Sequence, residues 1–116
     1  MSEHRFLHLS GFTKAERLEM THRVSEAINQ SGAWITDFHQ YSNVLICINF
    51  EVPLADLSRL AATLQATGLN LSQESIDQLT PANAAIRKQP ELTGTLQITF
   101  VHSEPDLLRE VPAVPG

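Results

Sequence analysis

Apolar side chains recur at every second residue in some stretches of this chain and at every third or fourth in others, and that change of period predicts its elements. Residues 5–10, RFLHLS, place Leu7 and Leu9 on one face and Phe6, His8 and Ser10 on the other, the pattern of a half-buried strand. Thr13-Lys14-Ala15-Glu16 fits a capping box, in which the Thr hydroxyl accepts from an amide of the first turn and the Glu carboxylate reaches back. A helix over 14–30 follows, with Met20, Val24, Ala27 and Ile28 as its apolar stripe and Ser31-Gly32 as its stop.

The run ITDFHQYSNVLICINFEVP, residues 35–53, divides at Ser42-Asn43 into two strands. In the second of them Val44, Ile46, Ile48, Phe50 and Val52 alternate with Leu45, Cys47, Asn49 and Glu51, so it reads as a central strand. Pro53 ends it, and Leu57, Leu60, Ala61 and Leu64 mark a second helix that closes near Gly68, before a short strand at Leu69-Asn70-Leu71-Ser72. The order strand, helix, strand, strand, helix, strand predicts an α+β fold, a ferredoxin-like βαββαβ sandwich: an antiparallel sheet with two helices on one face. The first and third strands are then neighbours, with the second beside the third.

This unit takes up residues 1–78, and residues 79–116 form a C-terminal extension. Thr80-Pro81 opens a short helix to about Arg87, residues 95–102 (TLQITFVH) alternate as an extra strand, and the Pro-rich finish VPAVPG reads as a flexible end. Leu96, Ile98 and Leu107 repeat the placing of Leu7, Leu9 and Leu18, as a relic of a second unit whose strand extends the sheet or meets a second subunit.

Composition narrows the function. The chain of 116 residues, 42% hydrophobic and 18% charged, suits one globular domain. Its net charge of -5 and its eight scattered Lys and Arg exclude a broad nucleic-acid footprint; the densest basic spot is the single pair Arg87-Lys88. No stretch is long and apolar enough for a membrane span, and the start MSEHRFLHLSG is charged where a secretory segment is apolar, so a cytoplasmic protein without a membrane partner is expected. The single Cys excludes an intramolecular disulfide, and Cys47 reads as a small hydrophobe in a strand.

Ser31-Gly32-Ala33-Trp34-Ile35-Thr36-Asp37-Phe38-His39-Gln40 is similar to the Gly-Ala-x-Ile-x-Asp-x-x-Gln lead into the second strand of ACT domains, and Gly68-Leu69 to the pair that ends their second helix. Residues 5–77 thus resemble an ACT domain, most closely the regulatory ACT segments of phosphoserine phosphatases and of the glycine-cleavage repressor group. The resemblance implies a stand-alone regulatory protein, a homodimer or larger assembly, that binds a small metabolite such as an amino acid. It places ligand contacts at Gly11, Phe12 and Thr13 in the first turn, with Ile35, Thr36, Asp37 and Phe38 across the subunit interface.

Two departures qualify this. The family's Gly-x-Asp-Arg-Pro-Gly turn is here Gly11-Phe12-Thr13-Lys14-Ala15-Glu16, which sets Glu16 over the first-turn amides, where a carboxylate uses the donors and repels a ligand carboxylate; Lys14 offsets part of that charge. This favours an alternative, a protein-interaction module whose ligand pocket has been lost. The phosphatase pair of Asp residues one position apart is absent, since Asp37, Asp56, Asp77 and Asp106 lie far from one another, and no enzyme activity is expected.

His8, His39 and Cys47 fall on the face away from the helices, on strands expected to adjoin, and their ligand atoms suit Zn, Ni or Cu. Metal sensing is the third reading, but the spacing 8, 39, 47 matches no ligand signature and supplies no fourth ligand, so neither metal nor cofactor is expected. Asp37 and His39 share a strand face without a nucleophile beside them. The open face, with Phe6 and Leu45, is expected to be covered by a second subunit or a protein partner.

Overall fold

A computed structural model describes residues 6–80 and 91–101. The elements run β1 (Phe6–Thr13), α1 (Arg17–Gln30), β2 (Trp34–Ser42), β3 (Leu45–Pro53), a 3-10 turn (Leu54–Asp56), α2 (Leu57–Ala66), β4 (Asn70–Leu71), α3 (Gln73–Gln78) and β5 (Glu91–Phe100). The fold is α+β, with one five-stranded mixed sheet in the order β2-β3-β5-β1-β4.

That order corrects one expectation. The first and third strands are not neighbours: β5 lies between them, parallel to β1 and antiparallel to β3. The alternating strand expected at 95–102 begins four residues earlier, at Glu91, and sits at the centre of the sheet, not at an edge. Its composition explains the placing, because Leu92, Leu96, Ile98 and Phe100 are all buried on one face, as β3 buries Ile46, Ile48, Phe50 and Val52. The helix expected after Thr80, the residue Leu107 and the Pro-rich end lie outside the described residues.

The apolar stripes of α1 (Met20, Val24, Ala27, Ile28) and α2 (Leu57, Leu60, Leu64) close over this buried face together with Leu7 and Leu9 of β1. Each fully buried Leu, Ile or Phe contributes about 1.5–3 kcal/mol by leaving water, so this one cluster holds the domain together. Gly94 stands between Leu7 and Phe50 in the same row of the sheet, and a β-carbon there would meet Phe50 Cζ at 2.5 Å. The bare backbone of residue 94 is what admits the Phe50 ring.

Helix α1 begins three residues later than expected. Its N-cap is Glu16, whose carboxylate accepts from the amides of Leu18 and Glu19, while Thr13 Oγ1 accepts from the Ala15 amide in a turn before the helix. Gly32 (φ 103°) follows α1, as the Ser31-Gly32 stop implies.

The face away from the helices carries His8 and Ser10 of β1, Thr93, Thr95, Gln97 and Thr99 of β5, Cys47, Asn49 and Glu51 of β3, and Asp37 and His39 of β2. It is largely polar, with Phe12 and Leu45 also on it, and Thr95 Oγ1 donates to Asn49 Oδ1 at 2.9 Å across it.

Candidate functional site

At one end of the sheet the β1–α1 turn, the turn between β2 and β3, and the end of β5 enclose a cavity of about 420 Å³, lined by Lys14, Ala15, Glu16, Arg17, Asn43, Phe100 and Val101. Two backbone bonds fix its frame: the Phe100 amide donates to Val44 O at 2.9 Å and the Val101 amide to Thr13 O at 2.8 Å. The central strand β5 thus ties the two turns together and supplies the apolar floor. Lys14 and Arg17 bring cationic groups to the rim, Glu16 an anion and Asn43 an amide. Among the described residues Lys14 has no ion-pair partner, and Arg17 reaches only Gln40 Oε1, at 3.5 Å. Sequence reasoning named Lys14 and Glu16 as the departures from the family turn; it missed Arg17, Asn43, Phe100 and Val101, whose approach depends on where β5 pairs.

The residues expected to hold a ligand fall into two groups, one on β1 and one on β2. Gly11 lies against β4, where a β-carbon would stand 2.9 Å from Asn70 O, so its surroundings are filled by the chain's own backbone. Thr13 is buried, its hydroxyl engaged by Ala15 and its carbonyl by Val101. Phe12 is half exposed on the polar face. Ile35, Thr36, Asp37 and Phe38 lie on β2, separated from β1 by β3 and β5; the expectation set them across a subunit interface and so asked for no meeting within one chain.

On β2 the side chains of Asp37 and His39 interact directly, Oδ2 to Nε2 at 2.9 Å, and the His39 ring stacks on Tyr41 with centroids 6.0 Å apart. Asp37 Oδ1 accepts from the Phe38 amide at 2.9 Å. That amide chiefly, and His39 next, hold the Asp37 carboxyl below its ordinary pKa. Cys47 is the direct cross-strand partner of His39, but burial pushes its thiol up, away from the nucleophilic thiolate.

The expected meeting of His8 with Cys47 is also corrected. With β5 between β1 and β3, two strand spacings of about 4.8 Å each separate their strands, too far for one metal ion. Among the described residues no three His, Cys, Asp or Glu side chains are grouped to hold a metal. Among the same residues no helix is long and apolar enough to cross a membrane.

A second hollow, of about 270 Å³, lies between α1 and α2, lined by Arg23, Glu26, Gln30, Thr63 and Thr67 among others. Arg23 there is already committed to Glu19 and to the Thr67 carbonyl, which leaves the β1–α1 cavity as the better candidate. Comparison with known proteins gives no match, whether to a family model, to a curated protein or to a solved structure.

Proposed function

We propose that this chain is a stand-alone, homodimeric regulatory protein of ACT type, without catalytic activity, that binds a small amino acid in the cavity at the β1–α1 turn. The observation that carries the reading is the set of groups around that cavity: two cations, one carboxylate and one amide over the apolar surface of Phe100 and Val101. A zwitterion fits such a set, its carboxylate toward Lys14 and Arg17, its ammonium toward Glu16 and its side chain toward Phe100. A volume near 420 Å³ lies within the range of small-molecule pockets. Leaving β5 out, the sheet reads β2-β3-β1-β4, the neighbours a ferredoxin-like ACT sandwich requires, which supports reading β5 as an addition to that order.

Calorimetry with the common amino acids tests the proposal. Binding of one class at up to millimolar concentration, lost in Lys14→Ala, supports it. Absence of heat with all of them ends it.

One observation favours the alternative, a protein-interaction module. Glu16 already satisfies the Leu18 and Glu19 amides, so the donors a ligand carboxylate would seek at the start of α1 are taken. In that case a protein partner binds stoichiometrically in a pull-down while no amino acid binds.

A further inference from the structure

Three apolar side chains stand exposed at or beside residues that line the β1–α1 cavity. Val101 lines it and is 39% exposed, Val44 follows the lining residue Asn43 and is 40% exposed, and Leu18 follows Arg17 and is 66% exposed. Lys14 and Arg17 belong to the same rim, while the carboxylate of Glu16 is held by the Leu18 and Glu19 amides. The surface is thus cationic and apolar together, which suits an acidic segment that carries aliphatic side chains.

The chain itself supplies such a segment at this place. Val101, whose amide donates to Thr13 O at 2.8 Å, lines the cavity and leads in sequence to His102-Ser103-Glu104-Pro105-Asp106-Leu107-Leu108, which lie outside the described residues. Two carboxylates and two leucines therefore follow the cavity floor directly. Glu104 to Leu108 are three to seven positions beyond Val101, a reach of about 10–25 Å for extended chain, which exceeds the width of a cavity of about 420 Å³. A segment tethered at that distance meets the surface at an effective concentration of about 1 mM or more, so a contact of only millimolar affinity is already half occupied.

We propose that Glu104-Pro105-Asp106-Leu107-Leu108 folds back on this end of the sheet, its carboxylates to Lys14 and Arg17 and its leucines to Leu18, Val44 and Val101, and covers the cavity until a ligand displaces it. The regulatory half of this proposal rests on the amino-acid reading; the contact itself does not. A ligand carboxylate and the segment seek the same two cations, so they exclude one another. The segment therefore lowers the apparent affinity of the site in proportion to the share of chains it covers.

The test uses the full chain and NMR, without added amino acid. Contacts between the methyl groups of Leu107 and Leu108 and those of Val44 and Val101, unchanged on dilution, are expected; their absence overturns the docking and leaves the amino-acid reading standing. Contacts that fade on dilution belong to a second copy and overturn the fold-back. Asp106→Lys weakens the contacts, and Lys14→Glu added to it restores them; contacts indifferent to both changes overturn the charge pairing. Calorimetry with the common amino acids then compares wild type with the double variant Leu107→Ser, Leu108→Ser. The variant binds the same amino acid about fivefold more tightly, because its cavity is open, and equal affinity overturns the covering role. No binding to either chain overturns the amino-acid reading and the regulatory half with it, while the methyl contacts decide the docking.

Discussion

The side chain of Gln78 holds the backbone of His8 as a neighbouring strand would, donating from Nε2 to the carbonyl and accepting the amide at Oε1, both at 2.8 Å. One turn earlier Ser75 Oγ accepts from Ser10 in the same way. Strand β4 is only two residues long, so these side chains finish the edge that its backbone does not reach.

Gln78→Ala is expected to cost about 1 kcal/mol, the net worth of solvent-accessible hydrogen bonds of this kind. Urea denaturation measures the loss, and amide exchange at His8 quickens in step. Gln78→Glu keeps the acceptor but turns a carboxylate toward the His8 carbonyl, so it recovers only part of the stability.

Gly94→Ala places a methyl group 2.5 Å from the Phe50 ring and is expected to destabilise by about 1–3 kcal/mol, the usual cost of overpacking. Phe50→Leu alone also destabilises, by leaving a cavity. Combined, the two cost less than their sum, because the smaller side chain releases the clash. A double-mutant cycle by thermal or urea melting checks this non-additivity.

Glu16 separates a capping role from a ligand role. Glu16→Ala removes the acceptor of the Leu18 and Glu19 amides and is expected to cost about 1 kcal/mol of stability. Glu16→Gln keeps an acceptor and most of that stability, but loses the charge opposite the ligand ammonium. Amino-acid affinity then falls in Glu16→Gln, by calorimetry, while the melting temperature changes little.

The Asp37 carboxyl is held below its ordinary pKa by the Phe38 amide and by His39. A depressed folded-state pKa means that the ionised group favours the native chain. Its contribution is fully present above the unfolded-state pKa and fades as pH falls through the lower, folded-state one. Carboxyl-carbon NMR titration is expected to give Asp37 a midpoint below that of a free aspartate. His39→Ala moves that midpoint only part of the way back, since the Phe38 amide remains as the larger cause.

Much of the architecture was legible in the sequence because period 2 and period 3.6 are local. Leu7 and Leu9, Met20, Val24, Ala27 and Ile28, Ile46 to Val52 at every second residue, and Leu57, Leu60 and Leu64 are buried as their spacing requires, while Ala61 is only partly buried and Val44 is exposed. The strand order was not legible. Pairing of β5 between β1 and β3 is a contact between residues 38 or more positions apart in sequence, and alternation at Leu92 to Phe100 says that a strand exists without naming its neighbours. The same cause hid half of the cavity, since Phe100 and Val101 reach Lys14 only through that pairing. Helix α3 escaped because its six residues, QESIDQ, are too few to show a period. The capping-box pattern at Thr13 was satisfied in another way: Glu16 itself became the cap, one turn further on.

The claim at the centre of this account is that an amino acid enters the cavity between the two turns and the end of β5. Amide NMR of the full chain during titration with the amino acids tests it most directly. The account predicts saturable shifts for one class of amino acid at Lys14, Ala15, Arg17, Asn43 and Val101, the residues that line the cavity, and their loss in Lys14→Ala. Shifts confined to other surfaces, or none at millimolar concentration, would contradict it.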